Sequence, residues 1–208
     1  MEMKKSVFIV LGIVVVVIGV CALVIIGNGN RNMDSGNGDN AGTGLSGSDN
    51  RVLVAYYSAT GSTERVAKVI AEEMGADLFV IEPEDEYTGS DLNWSDSNSR
   101  VSREHNDKSL RDVKLKMVTP NDWDSYDTVI LGYPIWWGEA AWVVNNFVKD
   151  NDFSGKKIIP FCTSASSGLG DSDTKLKELS NSGTWMQGKR FASGVDETEV
   201  KDWVKELK

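Results

Sequence analysis

From Arg51 onward, apolar runs of strand length alternate with stretches of helical period, and that alternation admits few folds. Val52-Leu53-Val54-Ala55-Tyr56-Tyr57 is continuously apolar, the pattern of a strand buried on both faces. A polar loop beginning at Ser58 follows it. Val66, Val69, Ile70 and Met74 then recur at helical spacing, with charged residues between them and Gly75 as a stop. Leu78–Ile81, Thr128–Gly132 and Lys157–Cys162 read as three further strands. Pro160 has no N–H to give a ladder, which implies that none is needed at that point. Glu139–Val148 reads as a helix with Val143, Val144, Phe147 and Val148 inward, and Ser172–Leu179 as another. A last strand is expected within Met186–Ala192. A last helix is expected over Glu197–Leu207, with Val200, Val204 and Leu207 inward. Strands alternating with helices define an α/β fold, a doubly wound parallel sheet with helices on both faces.

In such a sheet a ligand binds outside the carboxyl ends of the strands, where the strand order reverses. The loops after the first, third and fourth strands are therefore the candidate site. Ser58-Ala59-Thr60-Gly61-Ser62-Thr63 leads from a buried strand into a helix N-terminus. Unpaired N–H groups and the helix dipole favour an anion there. Ser58, Thr60, Ser62 and Thr63 add neutral hydroxyl donors, and Gly61 lets the backbone come close to a ligand. No Lys or Arg lies in the loop, so it lacks the ending of a triphosphate loop and suits one terminal phosphate monoester. The competing role for these hydroxyls is capping the helix.

Gly132-Tyr133-Pro134-Ile135-Trp136-Trp137-Gly138 places two adjacent indoles between glycines, directly after a strand. A chain reversal there exposes at least one indole, which suits stacking on a flat heterocycle. Packing of both rings against neighbouring helices is the alternative. Thr163-Ser164-Ala165-Ser166-Ser167-Gly168-Leu169-Gly170 is small, polar and glycine-rich, again after a strand. Cys162 ends a buried strand with no partner cysteine and no basic neighbour in its loop, which argues against thiol chemistry. A single histidine, His105, and no cysteine cluster argue against a metal site.

In this order and spacing the three loops resemble those of the flavodoxin family. The S-x-T-G-x-T loop looks like the family's phosphate loop, and G-Y-P-I-W-W-G is similar to one flavodoxin-like branch. The resemblance covers nearly all of Arg51–Lys208. It implies a five-stranded sheet in the order 2-1-3-4-5 with flavin mononucleotide (FMN) at the switch point. On that basis Ser58, Thr60, Gly61, Ser62 and Thr63 take the phosphate, and Pro134, Ile135, Trp136, Trp137 and Gly138 meet the ring. Thr163, Ser164, Ala165, Ser166, Gly168 and Gly170 offer N–H groups to its polar edge. The implied activity is electron transfer between redox partner proteins. The alternative is an NAD(P)H-dependent reductase of quinones or other small molecules on the same flavin. Residues 51–208 carry no G-x-G-x-x-G fingerprint, which favours the carrier. Indole stacking and an acidic domain both disfavour the electron-rich reduced ring and imply a low potential for its last one-electron step.

Tyr87–Leu110 is long and polar, with no clear strand. It either folds over the flavin, bringing Tyr87, Trp94 or Arg100 to the site, or is a solvated connection. His105 lies among charges and is expected at the surface.

Val7–Ile26 is almost purely apolar and long enough, as a helix, to span about 30 Å of hydrocarbon. It is too long and too uniform for a cleaved signal peptide and reads as a signal anchor over residues 1–26. Lys4 and Lys5 precede it, which places the N-terminus in the cytoplasm and the domain on the extracytoplasmic face. Residues 27–50 are Gly, Asn, Ser and Asp with little to bury, a flexible linker with a root-mean-square span of ~27 Å. That tether favours membrane-associated partners. Residues 51–208 hold 19 Lys and Arg against 27 Asp and Glu, a net charge of −8. An acidic domain is a poor ligand for nucleic acid; its charge suits a basic protein partner or, as the more ordinary reading, simple solubility.

Overall fold

The computed structural model describes residues 50–208. The anchor expected over 1–26 and all but the last residue of the expected linker lie outside them. The chain enters the fold at β1 (Val52–Tyr56), followed by α1 (Ser62–Met74) and β2 (Asp77–Val80). Next come α2 (Arg100–Asn106), a 3-10 turn at Lys108–Arg111 and a second one at Trp123–Ser125. β3 (Thr128–Trp136), β4 (Glu139–Ala140), α3 (Val144–Asp150) and β5 (Lys157–Ser164) follow. The chain ends with α4 (Ser172–Ser180), β6 (Thr184–Trp185), β7 (Lys189–Ala192) and α5 (Glu197–Leu207).

The expected α/β class holds, with a correction to the strand count. The sheet has seven strands rather than five, in the order β2-β1-β3-β5-β6, with β7 also on β5 and β4 on β3. The expected 2-1-3-4-5 succession is present, but its fifth position is divided between β6 and β7. β6 pairs with Lys157 and Ile158, and β7 with Phe161 to Ser164, all parallel. Pro160 explains the division. The N–H of Met186 donates to the carbonyl of Ile158 at 2.8 Å, so every second residue of β5 faces the fifth position. Pro160 faces it too and has no N–H to present, and the gap between β6 and β7 lies opposite.

Alternation along the central strands fills two cores. Leu53 and Ala55 of β1, with Val129, Leu131 and Tyr133 of β3, pack toward Trp142, Val144, Phe147 and Leu176 on one face. Val54 and Tyr56, with Ile130, Ile159 and Phe161, pack toward Val66, Ile70, Val200, Trp203 and Val204 on the other. Each fully buried aliphatic side chain contributes about 1.5–3 kcal/mol, which is why these continuous apolar runs stay as central strands. Cys162 sits in this interior, fully buried, and burial pushes its thiol up to about 12. A thiol reagent at pH 8 is expected to leave the native domain unmodified and to titrate one thiol once denaturant is added. Rapid colour release without denaturant would contradict the placement of Cys162.

Among the described residues no helix is long and apolar enough to cross a membrane. The polar excursion after β2 is closed at its base by an antiparallel bridge between Pro83 and Leu115.

Candidate functional site at the carboxyl ends of the strands

The first loop does not cap its helix with a hydroxyl. Gly61 is the N-cap residue of α1, at φ 87°, and no side chain bonds the helix's first N–H groups. Ser58 Oγ instead accepts from the N–H of Gly61 at 3.1 Å. The hydroxyl of Thr63 is turned inward, 2.8 Å from that of Thr163, where both residues are buried. The first intrahelical bond runs from the N–H of Arg65 to the carbonyl of Gly61 at 3.0 Å. The N–H groups of Ser62 to Glu64 therefore lack a capping oxygen, and this is the end of a helix that favours an anion. Thr60 and Gly61 are exposed beside it.

The second loop is a hairpin. Ile135 pairs with Ala140 and Trp136 with Glu139, both antiparallel, so Trp137 and Gly138 form a two-residue turn. Both turn residues have positive φ, 48° and 77°, as the turn type that matches strand twist requires. Such a φ costs a non-glycine residue roughly 1–2 kcal/mol, which the contacts of Trp137 must offset. The hairpin corrects the expected helix over Glu139–Val148, which begins only at Val144. Val143, Val144, Phe147 and Val148 are nevertheless buried as expected.

Trp136 meets the rings of Tyr57, Tyr87 and Trp142 edge-on at 5.7, 5.2 and 4.9 Å. Trp137 remains 40% exposed, which fits the expectation of an exposed indole. One of its faces, however, lies against the ring of His105 at 4.5 Å and 10°. His105 is therefore no free surface residue.

The third loop folds back on itself. Ser164 Oγ donates to the carbonyl of Ser167. Arg190 donates through Nε to Ser164 Oγ at 3.1 Å, and through Nη2 to the carbonyls of Ser164 and Ala165 at 3.0 and 3.4 Å. Arg190 is a bracing residue that the sequence reading missed. Its signal is only a basic residue near the start of the last strand. A Cβ on Gly170 would lie 3.3 Å from the carbonyl oxygen of Gly138, so this loop and the hairpin turn nearly touch.

The three loops meet in one cleft of about 550 Å³. Its lining includes Thr60 from the first loop, Pro134, Ile135, Trp136 and Trp137 from the second, and Ser166 and Ser167 from the third. Leu92, Trp94 and Val101 close it from the polar excursion. Among the other expected residues, Ser58, Gly61 and Ser62 lie in the first loop and Gly138 in the hairpin turn. Thr163 and Ser164 are buried beneath the third loop, while Ala165, Gly168 and Gly170 are exposed in it. Of the three residues expected to reach the site from the excursion, Trp94 lines the cleft and Tyr87 packs its ring on Trp136 without lining it. The Tyr87 hydroxyl and Arg100 turn to Glu104. Its carboxylate, in a residue only 4% exposed, accepts from Tyr87 Oη at 2.6 Å, Trp142 Nε1 at 2.7 Å and Arg100 Nε at 2.7 Å. The excursion is thus an ordered wall with a short helix, and not a solvated connection.

A parallel sheet, an uncapped helix N-terminus and an apolar cleft at the reversal of strand order define a doubly wound α/β protein with a ligand-sized cleft at its switch point. The family model described as flavodoxin matches residues 51–207, and the chain belongs to the flavodoxin family. Two solved structures of proteins assigned as flavoproteins are similar to it. One, from Bacteroides eggerthii, is 37% identical at a TM-score of 0.67, with 76% of this chain and 97% of that one covered. The other, from Bacteroides uniformis, is 38% identical at a TM-score of 0.68, with 74% and 97% covered. A flavoprotein of Lactobacillus acidophilus solved in complex with FMN shares the fold at 20% identity and a TM-score of 0.54, with 74% and 98% covered. No curated protein matches the chain.

Proposed function

We propose that the domain binds FMN in the three-loop cleft and serves as an electron-transfer protein held at a membrane by its N-terminal segment. The observation that carries the reading is the convergence of Thr60, Pro134–Trp137 and Ser166 on one cleft beside the uncapped start of α1. The residues fit the group. Thr60, Ser62 and the first N–H groups of α1 receive a phosphate without a cation, and the apolar hairpin faces a ring. Ser166 and the exposed third loop offer polar atoms to the ring's edge. Bound there, the flavin supplies one- and two-electron redox chemistry that side chains lack. The protein's part is to hold the ring, limit water at it and surround it with acidic charge. The net charge of −8 over residues 51–208 suits a partner with a basic docking face. The apolar run Val7–Ile26, preceded by Lys4 and Lys5, supports a tether with the domain on the extracytoplasmic face.

The Bacteroides eggerthii relative consists almost entirely of the matched region, so a fragment of residues 51–208 is a sound test object. Purified with FMN, it is expected to retain flavin absorption bands through gel filtration and to keep them when NADPH is added without oxygen. Rapid bleaching by NADPH, reversed by a quinone, would make the protein a reductase. Loss of the flavin on the column would reject the site. Trp137→Ala is expected to weaken FMN and riboflavin alike, by about tenfold, through lost ring contact. Unchanged titration curves would remove Trp137 from the ring site.

A further inference from the structure

Arg111 lies outside the cleft, yet it joins α2, the returning strand of the Trp hairpin and the indole of Trp142. It ends the 3-10 turn Lys108–Arg111, and its side chain is only 12% exposed. Nε donates to the carbonyl of Glu104 at 2.8 Å and Nη2 to the carbonyl of His105 at 2.9 Å, both in the last turn of α2. Nη1 donates to Glu139 Oε2, on the returning strand of the hairpin, at 2.8 Å. The guanidinium carbon lies 4.5 Å from the centre of the Trp142 ring. Trp142 in turn contacts both cleft indoles, Trp136 at 4.9 Å and Trp137 at 6.1 Å. One planar fork thus joins the residue whose ring covers Trp137, the residue opposite Trp136 in the hairpin, and the indole behind both. Glu139 also receives Lys175 Nζ at 2.7 Å, which ties the same point to α4. Lys175 first and Arg111 after it hold the Glu139 carboxyl below the usual carboxylate range.

We propose that Arg111 is a positioning residue for ring recognition: it locks the Trp136–Trp137 hairpin to α2, so that the affinity and redox potential of the bound ring depend on a side chain that never touches it. The inference rests on the flavin reading for its affinity and potential, and on the chain alone for its positioning step. Only a fixed guanidinium serves three acceptors on two elements at these distances; a lysine ammonium has charge but no fork.

The test compares Arg111→Ala, Arg111→Lys and Glu139→Gln with the unaltered chain. Arg111→Ala is expected to weaken FMN and riboflavin equally, by about tenfold, leaving the ratio of the two affinities unchanged. Arg111→Lys is expected to recover only part of this, remaining about threefold weaker than the unaltered chain. Glu139→Gln keeps Arg111 but removes the charged acceptor, and should show the same ring-centred loss even if Arg111→Ala does not fold. The midpoint potential of the bound flavin should shift in all three, which simple loss of stability does not produce. Near-ultraviolet circular dichroism of the flavin-free protein reads the positioning step alone, because closely packed indoles couple. The signal from Trp136, Trp137 and Trp142 should weaken in each variant. An unchanged signal, unchanged affinity for both flavins, or a loss confined to FMN overturns the proposal. An unaltered chain that binds neither flavin overturns the flavin reading instead, and the dichroism still decides the positioning.

Discussion

Replacing Thr60 by aspartate is expected to lower FMN affinity about 100-fold and to leave riboflavin affinity unchanged. Thr60 is exposed, one residue before the N-cap of α1, and lines the cleft. A phosphate monoester held by the first turn of α1 would lie within a few ångströms of a carboxylate there. Two unit charges 4 Å apart repel by about 1 kcal/mol in water and about 4 kcal/mol at an effective dielectric constant of 20. The phosphate carries up to about two charges. A penalty near 3 kcal/mol, about 100-fold, lies within that range. Riboflavin has no phosphate and feels none of it. The same aspartate sits at the positive end of the helix, where it should stabilise the flavin-free fold by about 0.3–1 kcal/mol. The two effects have opposite sign, so a drop in FMN binding cannot be ascribed to damaged folding. Titration of both flavins, with thermal unfolding of the flavin-free variant, reads all three quantities. The loss should shrink as salt is raised, because the repulsion is screened. Affinity for FMN within threefold of the unaltered chain, or an equal loss for riboflavin, would take the phosphate out of this loop.

The position of the Thr60 loop, between β1 and α1, was legible from sequence alone. β1, β3 and β5 announce themselves as apolar runs because strands buried on both faces leave no polar positions. The loops that follow them are then placed by topology, without any contact being known. The hairpin was not legible, because a Trp at positive φ contradicts local preference. Only the surroundings of Trp137, the rings of His105 and Trp142, account for it. α2 was hidden for a related reason. Val101 is its one buried apolar residue, and its other inward positions are Ser102 and Glu104. A helix that buries a carboxylate has no apolar period to detect. Its burial becomes sensible only when Tyr87, Trp142 and Arg100 are seen to satisfy that carboxylate. His105 read as a surface residue because its neighbours in sequence are charged, whereas its neighbour in space is an indole. β6 lay outside the strand expected within Met186–Ala192, because it is two residues long and its separation from β7 is set by Pro160, in another strand. In each instance the missing information lay in a partner distant in sequence.

Gly132→Ala is expected to lower the unfolding midpoint of the domain by about 10 °C, and the reason lies in the next strand. Gly132 pairs with Phe161 in the parallel register of β3 and β5. A Cβ at position 132 would lie 2.6 Å from Cε1 and 2.9 Å from Cε2 of Phe161, and closer still to Cζ. The Phe161 ring has no space to retreat into. It is fully buried, with Phe191 and Trp203 at 6.2 and 6.4 Å and those two rings 5.4 Å apart. The backbones are held as well, since β3 is paired on both sides, to β1 and β5. Overpacking commonly costs about 1–3 kcal/mol, and a site that cannot yield belongs at the upper end. Each kcal/mol moves the midpoint of a domain this size by about 2–4 °C, which gives the stated shift. Phe161→Leu, alone, should cost about 1–3 kcal/mol by truncation. Combined with Gly132→Ala, it should cost no more than it does alone, because the added methyl then occupies part of the space the ring has left. Strict additivity of the two losses would show that the clash is not with this ring. The same strand carries Pro134 to Trp136 into the cleft two residues further on. Gly132→Ala should therefore also weaken flavin binding in the protein that remains folded, and the double substitution should restore it.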